Sequence, residues 1–368
     1  MKRRTILSAA MAAAFAAGAG IAAERFLHSA RFGALPDEAQ WIKSPHFRDG
    51  LFHNRLPTPV LTDGSSSLEA WVRFFFRDSI DPKPRRPLRG VKENLRTLPR
   101  DKDWIVWFGH SSFLLNLQGR RLLIDPVFSD YASPVSFANR AFEGTSLYQV
   151  SDLPDIDCVL ISHDHWDHLD YPSLSALKEK TKLFLVPLGV EAHLLRWGVA
   201  REAIMSLDWE EHRTVAPGLR ITATEARHYS GRSFEQNKSF WCGWLIETGR
   251  RKVFYSGDSG YGPHFKELSH RYGRIDLALI DSGQYNPSWA YIHMPPQEAF
   301  KAAQDLGARY VIAAHVGRFS LAPHPWYEPF EQLSQAPWNG QKLLTPKIGE
   351  ALMLEHPAPT SAWWKAFI

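Results

Sequence analysis

The hexapeptide His163-Asp164-His165-Trp166-Asp167-His168 places three imidazoles and two carboxylates directly behind an apolar run, Cys158 to Ser162. Burying that many polar groups is costly unless they have partners, so packing alone gives a poor account of them. Imidazole nitrogen and carboxylate oxygen together suit zinc or a similar divalent ion. Their alternate spacing lets one loop present ligands in two directions. Three further apolar runs end in residues of ligand type: His228 after ITATEAR, Asp258 in SGDSGYG and His315 after YVIAA. A lone histidine at a strand end is more often not a ligand. The joint appearance of these four segments in one chain reads as a metal centre.

These residues need a scaffold that brings four strand ends together. From about residue 100 the chain offers short apolar runs separated by loops: WIVWFG, SFLLNL and RRLLIDP as a meander, then DCVLISHDH and KLFLVP, with helices expected from about 172 and 189. A second half follows with LRITATEARH, SFWCGWLIET, RKVFYSGDSG, IDLALID, a helix from about 295, and ARYVIAAH. Strands interleaved with helices in two similar halves predict an α/β fold, with sheets inside and helices outside. The expected organisation is a catalytic domain over 101–356, an irregular extension over 24–100 and a carboxy-terminal tail over 357–368.

The extension carries one helix signal. Ser66-Ser67-Leu68-Glu69 has the capping-box pattern and precedes an aromatic run, Trp71 to Phe76. A proline-rich strap follows, with seven basic residues and one acid over 83–100. The helix and strap are read as packing against the main domain and as a solvated linker, with peripheral contact to anionic lipid through 66–100 as the alternative. Residues 1–23 combine Lys2, Arg3 and Arg4 with an uncharged, alanine-rich stretch ending in small residues. This is the pattern of an export signal, resembling a twin-arginine one, and it implies a periplasmic protein. An uncleaved inner-membrane anchor is the other reading.

The chain has 368 residues, 43 Lys plus Arg against 39 Asp plus Glu, and a net charge of +4. Three of those charges sit in residues 1–23, so the body is close to neutral and a general nucleic-acid binder is not expected. Cys158 and Cys242 cannot supply a disulfide framework or a cysteine-rich zinc site, and both are expected to be buried thiols. The 14 tryptophans give weak support for a greasy pocket.

The HxHxDH motif, followed by a single His, a Gly-Asp and a last His, resembles the metallo-β-lactamase superfamily with its four-layer αββα sandwich. The segments WFGHSSFLL, LLIDPVFSDYASP, SGDSGYGPHFKEL, SGQYNPSW, HMPPQEA and AAHVGRFSLA resemble the branch of N-acyl-phosphatidylethanolamine-hydrolysing phospholipase D and ascorbate-phosphate lactonases. The resemblance implies one metal held by His163, His165 and His228, a second by Asp167, His168 and His315, and Asp258 bridging them. Two such ions, zinc by preference with manganese or iron as alternatives, would activate a shared water as hydroxide. Asp167 and Asp258 are thereby implied in catalysis. His110 and His293 match pocket histidines that could bind phosphate or protonate a leaving alkoxide, with a structural role as the alternative for each. Asp125 is a candidate to orient a ligand histidine, or an ordinary turn residue before proline. Gln284, Tyr285 and Asn286 are candidates for the substrate side. His193, His264, His270, His324 and His356 are expected in surface or packing roles.

The expected activity is phospholipase D-like cleavage of a lipid phosphodiester. A lactonase or sugar-phosphate hydrolase with the same metals would have a small polar pocket and no need for residues 66–100. A non-catalytic metal-binding envelope protein is a third reading, which the full set of seven ligand positions disfavours.

Overall fold

The computed structural model describes residues 24–37, 43–66, 69, 80–233 and 235–368. The expected export signal and the aromatic run after Glu69 lie outside the described residues. The capping box itself is formed: Ser66 N donates to Glu69 Oε2 at 2.8 Å and Glu69 N to Ser66 Oγ at 3.2 Å. Among the described residues no helix is long and apolar enough to cross a membrane.

A short hairpin, β1 (Phe47–Arg48) and β2 (Leu51–Phe52), belongs to the extension. The first half of the main domain then supplies β3 (Trp104–Trp107), β4 (Phe113–Leu117), β5 (Arg120–Ile124), β6 (Cys158–Leu160), β7 (Phe184–Pro187) and β8 (Ile204–Leu207). Helices α1 (Tyr171–Leu177) and α2 (Glu191–Arg196) connect its parallel strands. The second half supplies β9 (His212–Ala216), β10 (Leu219–Thr224), β11 (Gly243–Thr248), β12 (Lys252–Tyr255), β13 (Leu277–Asp281), β14 (Tyr310–Ala314) and β15 (Lys342–Leu344). Its helices are α3 (His264–Tyr272), α4 (Pro296–Asp305) and α5 (Glu328–Gln335), and a last strand, β16 (Ala351–Met353), returns to the edge of the first half.

Two seven-stranded sheets result, in the orders β16-β3-β4-β5-β6-β7-β8 and β15-β14-β13-β12-β11-β10-β9. Each is antiparallel on one side and parallel on the other, with the change at β5 in one sheet and at β12 in the other. The sheets face each other with helices outside, the αββα sandwich. Side-chain alternation explains the layers: Phe113, Leu115 and Leu117 of β4 and Leu122 and Ile124 of β5 join the core shared with the second sheet. Leu114 and Leu123 point the other way, against Leu174, Leu177 and Leu194 of α1 and α2. Both cysteines are buried free thiols.

The segments flanking the main domain also contribute to packing. Phe52 is fully buried and stacks on Phe240 at 4.7 Å between ring centroids. Over 80–100 the backbone forms no helix or strand, yet Leu88 and Leu95 are buried. Trp363, Trp364 and Phe367, in the stretch read as a tail, are buried in the larger hydrophobic cluster, and Trp364 stacks on Phe330 of α5 at 5.2 Å.

Candidate metal centre

In an open α/β sheet, the carboxyl ends of parallel strands are where ligands are met. Here both sheets present such ends on one side. Asp125 follows β5, the HDHWDH loop follows β6, Asp258 follows β12, Asp281 closes β13 and His315 follows β14; His228 comes from the loop between β10 and β11. Backbone strain gathers at these positions. Asp125, His110, Gln284 and His315 have φ of 37°, 53°, 56° and 63°, a region non-glycine residues enter at a cost. Gly257 (φ 61°) allows the close crossing before Asp258, since a Cβ there would lie 2.6 Å from the Cys242 carbonyl oxygen.

Two clusters of ligand atoms form, each with all atoms within 4.8 Å of one another. His163, His165, His228 and Asp258 make one, and His110, Asp167, His168 and His315 the other. In the first, His165 Nδ1 lies 3.0 Å from His163 Nε2 and 3.2 Å from His228 Nε2. Asp258 stands between the clusters. Its Oδ2 is 3.6 Å from His163 Nε2, 3.8 Å from His228 Nε2 and 3.1 Å from His168 Nε2, while Oδ1 is 3.2 Å from His315 Nδ1. The seven expected ligand positions therefore converge. His110 joins the second cluster, with Nε2 2.8 Å from Asp167 Oδ2. His293, Asp258 and His315 form a third, overlapping group.

The residues present fit divalent ions. His168 Nε2 and Asp258 Oδ1 are buried without a hydrogen-bond partner, an expensive state that a cation relieves. Burial, and then neighbouring imidazoles, hold His163, His228 and His315 well below the usual histidine range, so their neutral, metal-binding form is favoured. Burial likewise pushes Asp258 up, to about 7. Asp167, although buried, is held well below the carboxylate range by His168 and His110.

A further layer of hydrogen bonds aims the imidazoles. Asp125 is fully buried and accepts from Ser162 N at 2.7 Å, Ser162 Oγ at 2.5 Å and Tyr255 OH at 2.6 Å, and His168 Nδ1 lies 2.8 Å from its Oδ2. That leaves His168 Nε2 for the cleft. His228 Nδ1 lies 3.0 Å from the Ile292 carbonyl oxygen, so its Nε2 faces inward as well. His293 Nδ1 is 2.9 Å from Asp281 Oδ2, and its ring stacks on His315 at 4.8 Å. The HDHWDH loop alternates from His163 to Asp167, after which His168 also faces the centre: Asp164 turns away to accept from Gly231 N at 2.7 Å and Ser239 Oγ at 2.8 Å, and Trp166 lies under the Arg232 guanidinium at 3.9 Å.

Of the substrate-side candidates, Gln284 turns into the protein. Its amide Nε2 donates to the His315 and Phe319 carbonyls and its Oε1 accepts from Leu321 N and Ala322 N, bracing the loop behind His315. Tyr285 donates to Glu328 and Asn286 caps a short turn through Ser288 N. His193 and His264 are buried packing residues, His270 and His356 are exposed, and His324 Nε2 accepts from Gln284 N. Sequence reasoning missed Asp281 and Asn54. The first ends an apolar strand just as Asp258 follows one, but nothing local marks the second.

A Beta-lactamase superfamily domain matches residues 120–316. A Mycobacterium tuberculosis protein of unassigned function is 35% identical over 375 residues, spanning 99% of this chain and 100% of its own. The mitochondrial N-acyl-phosphatidylethanolamine-hydrolyzing phospholipase D of Saccharomyces cerevisiae is 35% identical over 258 residues, 67% of this chain and 54% of the yeast protein. Its Caenorhabditis elegans counterpart is 32% identical over 246 residues, 62% of this chain and 68% of that protein. The fold is shared with an isothiocyanate hydrolase from Delia radicum gut bacteria (TM-score 0.55, 20% identity, 68% of this chain and 98% of that one). The chain belongs to the metallo-β-lactamase superfamily. Within it, this is a metal-dependent hydrolase related to the N-acyl-phosphatidylethanolamine-hydrolysing phospholipases D.

Proposed function

We propose that the protein is a phospholipase D-like phosphodiesterase that uses two divalent ions, zinc by preference, to hydrolyse N-acyl-phosphatidylethanolamine-type lipids. The observation that carries this reading is the pair of adjacent His/Asp clusters sharing Asp258. His163, His165 and His228 would hold one ion, and Asp167, His168 and His315 the other, with Asp258 between. When bound, two such ions acidify a shared water and polarise the attacked group.

The chain's own residues position the rest. Asp125 keeps the His168 ring aimed, and His110 does the same for the Asp167 carboxylate through its 2.8 Å contact. His293 is fixed at Nδ1 by Asp281, which leaves Nε2 to donate a proton to the departing oxygen. In the overall reaction a water oxygen forms the new bond to phosphorus. The bond to the N-acylethanolamine oxygen breaks, and that oxygen leaves with a proton. Export through residues 1–23, and lipid contact through 66–100, belong to the same proposal, since both bring the protein to phospholipid.

The test is zinc- or manganese-loaded protein assayed against N-acyl-phosphatidylethanolamine micelles, bis-p-nitrophenyl phosphate and a panel of lactones. Phosphodiester turnover lost in Asp258→Asn is expected. Lactone turnover without phosphodiester turnover would replace the proposal by the lactonase reading, and inertness of the fully loaded wild type by a binding role.

A further inference from the structure

The domain match begins at residue 120, yet the extension reaches the metal centre from outside it. His228 lies in the irregular connection between β10 and β11, where no strand neighbour pairs with its backbone. A buried peptide group in that position needs a partner from elsewhere. Asn54 supplies both contacts: its Nδ2 donates to the His228 carbonyl oxygen at 2.7 Å, and its Oδ1 accepts from His228 N at 3.2 Å. The same Oδ1 accepts from Trp241 Nε1 at 3.1 Å. One side-chain amide thus does what a paired strand would do, and only an amide offers a donor and an acceptor side by side.

Asn54 is itself held by its neighbours. Phe52 N donates to the Asn237 carbonyl at 2.8 Å, Ser44 Oγ to Asp208 Oδ2 at 2.7 Å, and Arg227 to Thr58 Oγ1 at 2.9 Å and to the Pro57 carbonyl at 2.9 Å. The segment 43–58 of the extension is thereby fastened on both sides of Asn54. His228 has its ring direction set at Nδ1 by Ile292 and its backbone set by Asn54, so few motions remain by which Nε2 could leave the cleft.

We infer that Asn54 is a positioning residue of the metal centre, and that the extension is a working part of the ion site formed by His163, His165 and His228. This rests on the metal-binding reading above but not on the identity of the substrate. Groups that orient metal ligands are worth roughly 10- to 100-fold in metal affinity.

The experiment is chelator-competed zinc titration, with cobalt substitution for the visible spectrum, on wild type, Asn54→Ala, Asn54→Asp, His228→Ala and Ser44→Ala. Asn54→Asp keeps the acceptor and loses the donor to His228, and serves if Asn54→Ala does not fold. Ser44→Ala removes a fastening of the same segment away from His228, and controls for general loosening. The expected result is zinc affinity lowered roughly 10- to 100-fold in the Asn54 variants, an altered cobalt spectrum, and wild-type affinity in Ser44→Ala. Wild-type affinity and spectrum in the Asn54 variants, with a lowered Tm only, would overturn the inference. Wild-type metal content in His228→Ala would instead overturn the ligand assignment. None of these readings needs turnover, so failure to find a substrate leaves the outcome intact.

Discussion

Replacing Asp125 by Asn tests the aiming of the ligand histidines with almost no change in shape. The carboxylate accepts from Ser162 N, Ser162 Oγ and Tyr255 OH, and holds His168 Nδ1 at 2.8 Å. An asparagine that keeps its oxygen on Ser162 N turns its NH2 toward His168. The two hydroxyls can rotate to accept, but an Nδ1–H facing an N–H cannot stay. The imidazole then takes the other tautomer and carries its proton on Nε2, the atom 3.1 Å from Asp258 Oδ2 that must be bare to bind metal. Turning the amide over only moves the clash to Ser162 N. The ligand form of the variant therefore lacks the wild-type hydrogen bond from Nδ1–H to a charged group, about 1.5–3 kcal/mol, which corresponds to roughly 10- to 100-fold in affinity for the ion at Asp167, His168 and His315. Competition with a chromogenic chelator measures that affinity, and the Tm of chelated protein shows whether the variant folds. A folded Asp125→Asn protein with wild-type affinity for two ions would refute the reasoning.

His293→Ala should lower kcat by about 100- to 10,000-fold while metal content stays at the wild-type level; loss of an ion would make His293 a ligand instead. Trp364→Ala removes a buried indole stacked on Phe330 and should cost about 3–5 kcal/mol in urea unfolding, whereas a free tail would show almost no change. The Glu225 carboxyl is pushed up to about 7 by burial, with Arg55 opposing and Glu267 and Glu210 adding to the rise. Its unfolded value is about 4.3, so across the window from there to about 7 the native state keeps a proton that the unfolded chain has released, and stability falls as pH rises. Glu225→Gln should remove that part of the slope in Tm between pH 5 and 7.5; an unchanged slope would refute it.

Most of the ligands were legible because they closely follow apolar strands: the HDHWDH loop leaves β6, and Asp258 and His315 leave β12 and β14, while His228 stands four residues beyond β10. A strand end is a local event, visible in a few residues. Asp125 was legible for the same reason. Asn54 was not, because its meaning is a contact with His228 across 174 positions, and a polar residue in an irregular stretch gives no local sign of it. Gln284 misled for a related reason. Its place after β13 pointed to the cleft, but with φ of 56° its side chain swings under the His315 loop, where four backbone groups are met. Edge strands β15 and β16 are three residues each and are defined by their neighbours rather than by their own sequence.

Charge places a further constraint on the centre. Asp125, Asp167, Asp258 and Asp281 are all buried around it, and among the described residues no lysine or arginine forms an ion pair with any of them. The buried cation Arg232 has a field that reaches Asp167 as well as Asp164 and Asp170, but its guanidinium donates to the Asp164, Leu169 and Arg31 carbonyls rather than to a carboxylate of the centre. Uncompensated charge is not tolerated at such depth, since taking a carboxylate out of water costs several kcal/mol even after relaxation. Four carboxylates against two dications balance, whereas one dication leaves two charges to be neutralised by protons, and only Asp167 and Asp258 of the four are assigned as ligands that must stay bare. The two-ion proposal meets this charge without protonating a ligand. Elemental analysis of protein dialysed against dilute zinc should give two ions per chain, and a stable, fully active protein with one would contradict this charge argument.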